Sequence, residues 1–539
     1  MGSARTPYPN RLCLRKPPFV ANADPNLPKG PERLAWLIAL GLGVTPLWVC
    51  RDIPLVDLPQ HLHLISVLHR LNDPTTLYPQ VFAARGELTP YLGYYYLVSL
   101  LNWLLPLELA NRVFLTAVVA GLPVSLGFLL RSLKRPAWPA LLGIPFAYGD
   151  SLGWGFINYC ASIPLALATC GCFVRTLTET SRRRFWAGWL AASLVAVLLF
   201  HVQAFAFLGL ALPFLLLTTR TPGEPWLKAR KEALLGVVPG VALFIAWIGL
   251  RFGQPQEIVP GQPWKSWGPV LSPQNLSWKS FEQNRDEFLG VLGNLLSDRS
   301  DQNAVKFAFI LAAVGVGAAF VKGRENLESA VERWRIVGLL AIALLGYFAL
   351  PFDIRGYMYY LNTRYAHLAA ALVVACVPAL KLEQAKQAVW AGVLLAAATA
   401  LPLANGFRAF DAEAAPLHEL SKYVRPAPRV MGLMFAAGSR VVTHPVYLHA
   451  STVLARERGG LTNFSFALTP HSPVMYQGSP PPTFPSEWRP DQMRWDEHGQ
   501  HYDTFLGRGV PPERLFGGLL GSQLEVAATA GDFWLVRRR

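Results

Sequence analysis

The feature that most constrains this chain is a series of apolar runs separated by short polar segments. Each is close to the 17–25 or so residues that a helix needs to cross the hydrocarbon core of a bilayer. The clearest are Glu32 to Cys50, Leu109 to Leu130, Phe156 to Leu177, Phe185 to Thr219, Ala233 to Leu250, Ala304 to Val321, Ile336 to Leu350, Tyr365 to Leu380 and Ala388 to Ala404. The fourth is long enough for two short helices. Tyr91 to Leu105 and Leu141 to Gly153 are shorter, and the second contains Pro145 and Asp150. The pattern predicts a polytopic α-helical membrane protein with roughly 11–13 transmembrane helices. Only 15% of the residues are Asp, Glu, Lys or Arg, against about 25% in soluble domains, so an ordinary water-soluble enzyme is nearly excluded.

A formal charge of +15 suits nucleic acid, an anionic lipid surface or cytoplasmic membrane loops. From Asn405 onward there are 14 basic and 12 acidic residues, so 13 of the surplus charges lie in the apolar first 404 residues. That placement favours membrane topology and argues for no nucleic acid partner. Lys and Arg resist translocation. The tail carries Arg5, Arg11, Arg15, Lys16, Lys29 and Arg33; it is too long and polar for the start of a signal peptide, so the N-terminus is expected in the cytoplasm and the first run is expected to be an uncleaved anchor. Arg182 to Arg184, Lys228/Arg230/Lys231, Lys322/Arg324/Arg333/Arg335 and Lys381/Lys386 fall on the same side, which puts 251–303, 351–363 and everything after Asn405 outside. The alternation then fails by one span near Arg131, Lys134 and Arg135. Treating Leu141 to Gly153 as re-entrant repairs it and leaves that basic trio outside.

The expected organisation is a tail (1–31), a membrane domain (32–404) with outside loops at 51–90 and 251–303, and an extracytoplasmic C-terminal α/β domain (405–539). In the last, a helix is predicted from about Asp411 to Tyr423, followed by apolar runs over Arg429 to Phe435 and Arg440 to Val446, a loop over Ser479 to Pro485 and a closing strand over Gly531 to Val536. The six cysteines imply no disulfide framework, and the Cys170–Cys172 spacing inside an apolar run is not a metal spacing.

The segment after the first span reads Arg51-Asp-Ile-Pro-Leu-Val-Asp-Leu-Pro-Gln-His-Leu-His-Leu-Ile-Ser-Val-Leu-His69. If a helix begins near Leu58, Asp57 and His61 share one face, while Leu58, Leu62, Ile65 and Leu68 form an apolar face suited to the bilayer surface. Asp57 has two readings of equal weight: a carboxylate that takes a proton from an acceptor hydroxyl, or the N-cap of a helix with an early proline. Asp52 faces the same choice.

On these residues the chain resembles the GT-C glycosyltransferase superfamily, which includes the protein O-mannosyltransferases and the aminoarabinose transferases of lipid A. The likeness lies in an anchor helix, an acid-bearing first outside loop (Asp57-Leu-Pro-Gln-His61), many further spans and a terminal outside domain. Gly153-Trp-Gly-Phe-Ile-Asn-Tyr159 and Tyr502-Asp-Thr-Phe-Leu-Gly-Arg508 are smaller echoes. The resemblance implies transfer of a sugar from a polyprenyl-phosphate-linked donor to a lipid, glycan or protein acceptor at the outer side of the plasma membrane. Asp57 takes the place of the catalytic acid, with Asp52 its nearest rival and His61 beside it. The paired Asp-Glu of several relatives is absent; no cofactor is certain, and a divalent cation is the one candidate.

A phosphate at the membrane surface suits arginine, whose planar fork binds oxygens in pairs. Arg355 and Arg364 flank a tyrosine-rich loop with Tyr359 and are the expected clamp, against the plainer reading of interfacial anchors; Arg131 and Arg135 are weaker candidates. Asn158 and Asp150 are expected to line an acceptor cavity or to cap helices. His201 and Gln203 sit at a break between helices, where they face outside water or act at the site. Glu108 and Arg112 are expected to pair. Trp264, Trp267 and Trp278, and the cluster Trp488, Trp495, His498, His501, Tyr502 and Asp503, fit sugar stacking or simple packing; Trp495 is the expected acceptor contact. Two other classes compete: a transporter or flippase of a lipid-linked solute, and a non-catalytic envelope assembly protein.

Overall fold

The computed structural model describes residues 31–539 apart from 88, 222–223, 253–272, 322–329, 355–357, 379 and 381. Among these, Leu107–Ser132, Ile157–Thr178, Arg183–Phe200, Trp226–Phe252 and Leu382–Leu420 contain stretches long and apolar enough to cross a membrane, while Trp138–Ala147, Val202–Thr218 and Tyr365–Ala375 are shorter apolar helices. Their outward faces carry Leu217, Ile245, Leu394 and Leu401, and those of the helices Pro31–Val44 and Ala330–Ala349 carry Leu37 and Leu345, all more than half exposed. Such faces are stable in lipid and not in water. The inner faces meet in one core that runs from Ala35 through Leu141, Phe173, Leu208 and Leu339 to Leu395. The Phe185 to Thr219 run breaks into two helices at His201, whose ring accepts the Gln203 N–H at 3.2 Å as an N-cap.

Helix ends sort into two groups. At one, Arg175 donates to Ser132 at 3.0 Å, and Arg135 donates to the carbonyls of Ala375 and Val377 at 2.8 and 3.1 Å. At the other, the backbone N–H groups of Val56 and Asp57 donate to Gly153 and Trp154. Residues 133–156 therefore carry the chain from the basic end back to the Asp57 end, through a 3-10 helix at Trp138–Ala147. This corrects the re-entrant assignment. Arg131 and Arg135 lie at the same end as Arg175 and so cannot serve a phosphate near Asp57, and the anomaly in the distribution of positive charge disappears.

A second correction concerns the boundary at 405. Leu382–Leu420 is one continuous helix of 39 residues, about 58 Å long at 1.5 Å per residue. That is nearly twice the hydrocarbon thickness of about 30 Å, so the last apolar run and the expected Asp411 helix are a single rod. Beyond it the chain forms a mixed α/β cap. The strands of the first loop and cap are β1 (Phe82–Ala84), β2 (Arg429–Met434), β3 (Leu461–Thr462), β4 (Val474–Tyr476), β5 (Thr504–Arg508), β6 (Leu524–Ala530) and β7 (Phe533–Arg538). Five make one sheet in the order β3-β2-β5-β7-β6, parallel among the first three and antiparallel thereafter. Arg440 to Val446 is not a strand; only Val442 makes a bridge, to Leu296.

The first loop belongs to this cap. β1 pairs with β4, and Leu58, Leu62 and Ile65 of the Leu58–His69 helix are buried in a core shared with Val430, Leu454 and Phe505. The apolar face expected to lie on the bilayer is thus covered by protein. Gln60 locks the contact: its side-chain amide donates to Thr452 at 3.0 Å and to the Phe464 carbonyl at 2.8 Å.

Candidate active site

Asp57 precedes the Leu58–His69 helix in helical backbone (φ −85°, ψ −7°) and makes no capping hydrogen bond to it. An N-cap is normally extended and its side chain accepts from the next turn; that reading is set aside. The carboxylate turns toward the cap, where Oδ1 lies 3.4 Å from Nε2 of His449, and Nδ1 of the same ring lies 3.4 Å from Glu487. Burial by itself would lower the pKa of His449, but Glu487 and Asp57 on either side outweigh it and raise it. Glu487 is raised chiefly by its own burial. The turn that presents Asp57 depends on Gly155. Its φ is +86°, and a Cβ there would sit 2.9 Å from the Asp57 Cβ and backbone nitrogen, so both conformation and space require glycine.

His61 does not face the same opening. Nδ1 accepts the Tyr95 hydroxyl at 2.7 Å and Nε2 donates to the Gly155 carbonyl at 3.1 Å, a pairing that fixes a neutral ring, and burial lowers its pKa accordingly. His61 thereby holds the glycine turn behind the acid. Asp52 is engaged elsewhere: its carboxylate meets His418 at 2.7 Å, and its N–H donates to Asp411 at 2.9 Å.

Arg364 lies at the end of the preceding loop, just before Tyr365–Ala375, and only 8% of it is exposed. Its guanidinium packs 4.2 Å from the centre of the Phe156 ring, meets Nε2 of His201 at 3.0 Å and donates to the Tyr359 carbonyl at 3.2 Å. Nε has no partner, and among the described residues no carboxylate lies within ion-pair distance. His201, one of the residues at the helix break, is thus at the site and not facing water. Tyr359 contributes its carbonyl; its side chain is exposed. Arg355, Trp264 and Trp267 lie outside the described residues. Asn158 accepts the Tyr94 N–H at 3.1 Å and so fixes the start of Gly93–Leu101. Trp495 packs against Phe505 and Phe516 in the cap, away from Asp57. Glu108 pairs with Arg456 at 2.7 Å, not with Arg112, which donates to the carbonyls of Leu47 and Arg51.

The cap supplies residues that sequence reasoning did not single out. His444 meets Asp150 at 2.9 Å, while His449 and Glu487 complete the contact with Asp57. The two histidines are five positions apart, in His444-Pro-Val-Tyr-Leu-His449, a spacing that signals no periodic face. Among the described residues no group of three or more His, Cys, Asp or Glu side chains is arranged to hold a metal ion.

A helical membrane body whose first loop and terminal cap close around one acid and one buried arginine has the architecture of the GT-C fold. No family model matches the sequence, and no curated protein matches it. Solved structures do. ArnT from Cupriavidus metallidurans bound to undecaprenyl phosphate is similar with a TM-score of 0.52, at 12% identity, over 94% of this chain and 97% of that one. The arabinofuranosyltransferase AftD from Mycobacteria is similar with a TM-score of 0.50, at 14% identity, over 96% of this chain and 40% of that one.

Proposed function

We propose that this protein is a membrane glycosyltransferase that moves a sugar from a polyprenyl-phosphate-linked donor to an acceptor at the outer face of the plasma membrane, with the N-terminus in the cytoplasm. The carrying observation is Arg364, a guanidinium removed from water and, among the described residues, without a carboxylate at ion-pair distance. A buried charge deprived of its partner costs about 3–5 kcal/mol, and a phosphate in that position supplies the partner in a geometry the planar fork accepts. The ArnT structure with undecaprenyl phosphate supports a lipid phosphate in this role. Topology agrees, because the basic ends of the helices gather opposite Asp57, as they do when that end is cytoplasmic.

In the proposed reaction the acceptor oxygen attacks the anomeric carbon of the donor sugar. The bond from that carbon to the phosphate oxygen breaks, and its electron pair leaves with polyprenyl phosphate, whose charge Arg364 meets. Asp57 accepts the proton from the acceptor. His449, held by Glu487, orients the Asp57 carboxylate. No step is assigned to a cation.

The test is binding of undecaprenyl phosphate to the full chain in detergent, followed by native mass spectrometry. Wild type is expected to bind; Arg364→Ala should weaken binding about 10–100-fold, and Arg364→Lys, a point charge without the fork, less. Equal binding by wild type and Arg364→Ala would overturn the assignment.

A further inference from the structure

Four aromatic rings run from the phosphate pocket to water. Arg364 lies over Phe156; Trp154 stacks on Phe156 with ring centres 6.5 Å apart and planes at 14°; Tyr360 leans against both at 5.1 and 6.2 Å; and Trp488, from the cap, meets Trp154 at 6.4 Å and 61°. Two details set this row apart from ordinary packing. Tyr360 holds a left-handed backbone, φ 59°, a conformation that is strained for a non-glycine residue and persists where the surroundings demand it. Trp488 is 52% exposed, although it follows Glu487, whose carboxylate sits on His449. A large ring left half in water beside buried machinery is a surface without its occupant.

The geometry points to a sugar-binding corner: we infer that Trp488 and Trp154, their planes inclined at 61°, receive a sugar ring of the acceptor, which makes the acceptor a glycan. The inference rests on the proposed transferase activity and deepens it. An aromatic face packs on the apolar C–H face of a sugar ring, and the neighbouring carboxylates of Glu487 and Asp150 accept from its hydroxyls. The order of the row assigns the two substrates. The donor phosphate belongs at the buried Arg364 end, so the donor sugar lies near Phe156 and Tyr360. The Trp488 end opens to water, the side from which a glycan arrives.

The test uses saturation-transfer-difference NMR on the full chain in detergent, with a panel of free methyl glycosides of glucose, galactose, mannose, arabinose and N-acetylglucosamine, and undecaprenyl phosphate binding in parallel. At least one glycoside should show ring-proton saturation in wild type. In Trp488→Ala its affinity should fall about tenfold, with Trp488→Phe retaining most of it and both variants binding undecaprenyl phosphate as wild type does. Equal saturation in Trp488→Ala, or none for any glycoside in a wild type that binds the lipid phosphate, overturns the corner. Competition by an acceptor peptide and not by glycosides overturns the glycan assignment. Loss of lipid phosphate binding in Trp488→Ala would place that residue on the donor and overturn the order of the row, and failure of wild type to bind undecaprenyl phosphate would refute the transferase reading itself.

Discussion

Two acid–histidine–acid chains join the first loop to the cap, and they are built differently. In one, Asp52, His418 and Glu457 sit 2.7 and 3.2 Å apart, and His418 is pushed up to about 9 by its hydrogen bonds to the two carboxylates. In the other, Asp57 and Glu487 each lie 3.4 Å from His449. The helix Ala450–Arg458 ties the two together, with His449 just before it and Glu457 within its last turns. The shorter network, held by two hydrogen bonds to one histidine, is suited to a clamp. A looser one keeps lone pairs for something that arrives later. The pair teaches that at this interface bond length and leftover valence separate structure from chemistry better than residue type does.

The sharpest way to break the comparison is Asp57→Asn against Asp52→Asn, with transfer from a polyprenyl-phosphate-linked sugar measured in proteoliposomes. Asp57→Asn should lose about 10²–10⁴-fold in rate with unchanged expression, whereas Asp52→Asn should retain transfer and lose stability. The reverse pattern would exchange the two roles.

A smaller effect is expected at Glu487→Gln. Removing a group that raises His449 lets the ring lose its proton at lower pH, so the alkaline limb of the transfer profile should move to lower pH while lipid phosphate binding holds. An unmoved profile would leave His449 as packing alone. Smallest is the pH dependence of the clamp. A histidine lifted from 6.5 to about 9 contributes its full stability below pH 6.5 and loses it as pH rises toward 9. After allowance for partial exposure that is on the order of 1–2 kcal/mol. The midpoint of thermal unfolding should fall across that window, and His418→Gln should flatten the decline; a wild-type midpoint indifferent to pH would contradict the clamp.

Much of the body was legible in the sequence because lipid imposes a length and a composition on every helix that meets it. The break at His201, the helical fold and the acid-bearing loop follow from that. Three things did not. Residues 138–156 return across the body as a short 3-10 helix and irregular chain, a form that apolar-run counting reads as incomplete. The boundary at 405 was invisible because composition changes there while the backbone of Leu382–Leu420 continues. The partners of Asp57 were hidden because His449 and Glu487 are brought to it by the cap's tertiary fold, over 392 and 430 residues of separation. Asn158 and Trp495 show the converse: polar and aromatic identities that suggest contact with substrate but are consumed by Tyr94 and by Phe505 and Phe516.

The helix from Leu382 to Leu420, which carries Pro402 and Pro416 in its interior, links the apolar body directly to the cap. Because helix backbone runs from body to cap without an intervening loop, the length of that helix fixes how far the acid stands from the apolar body, and an incoming molecule must bring its reactive oxygen to that distance. The helix is in effect a gauge, and inserting or deleting one turn below the cap would change which acceptors are tall enough to be used.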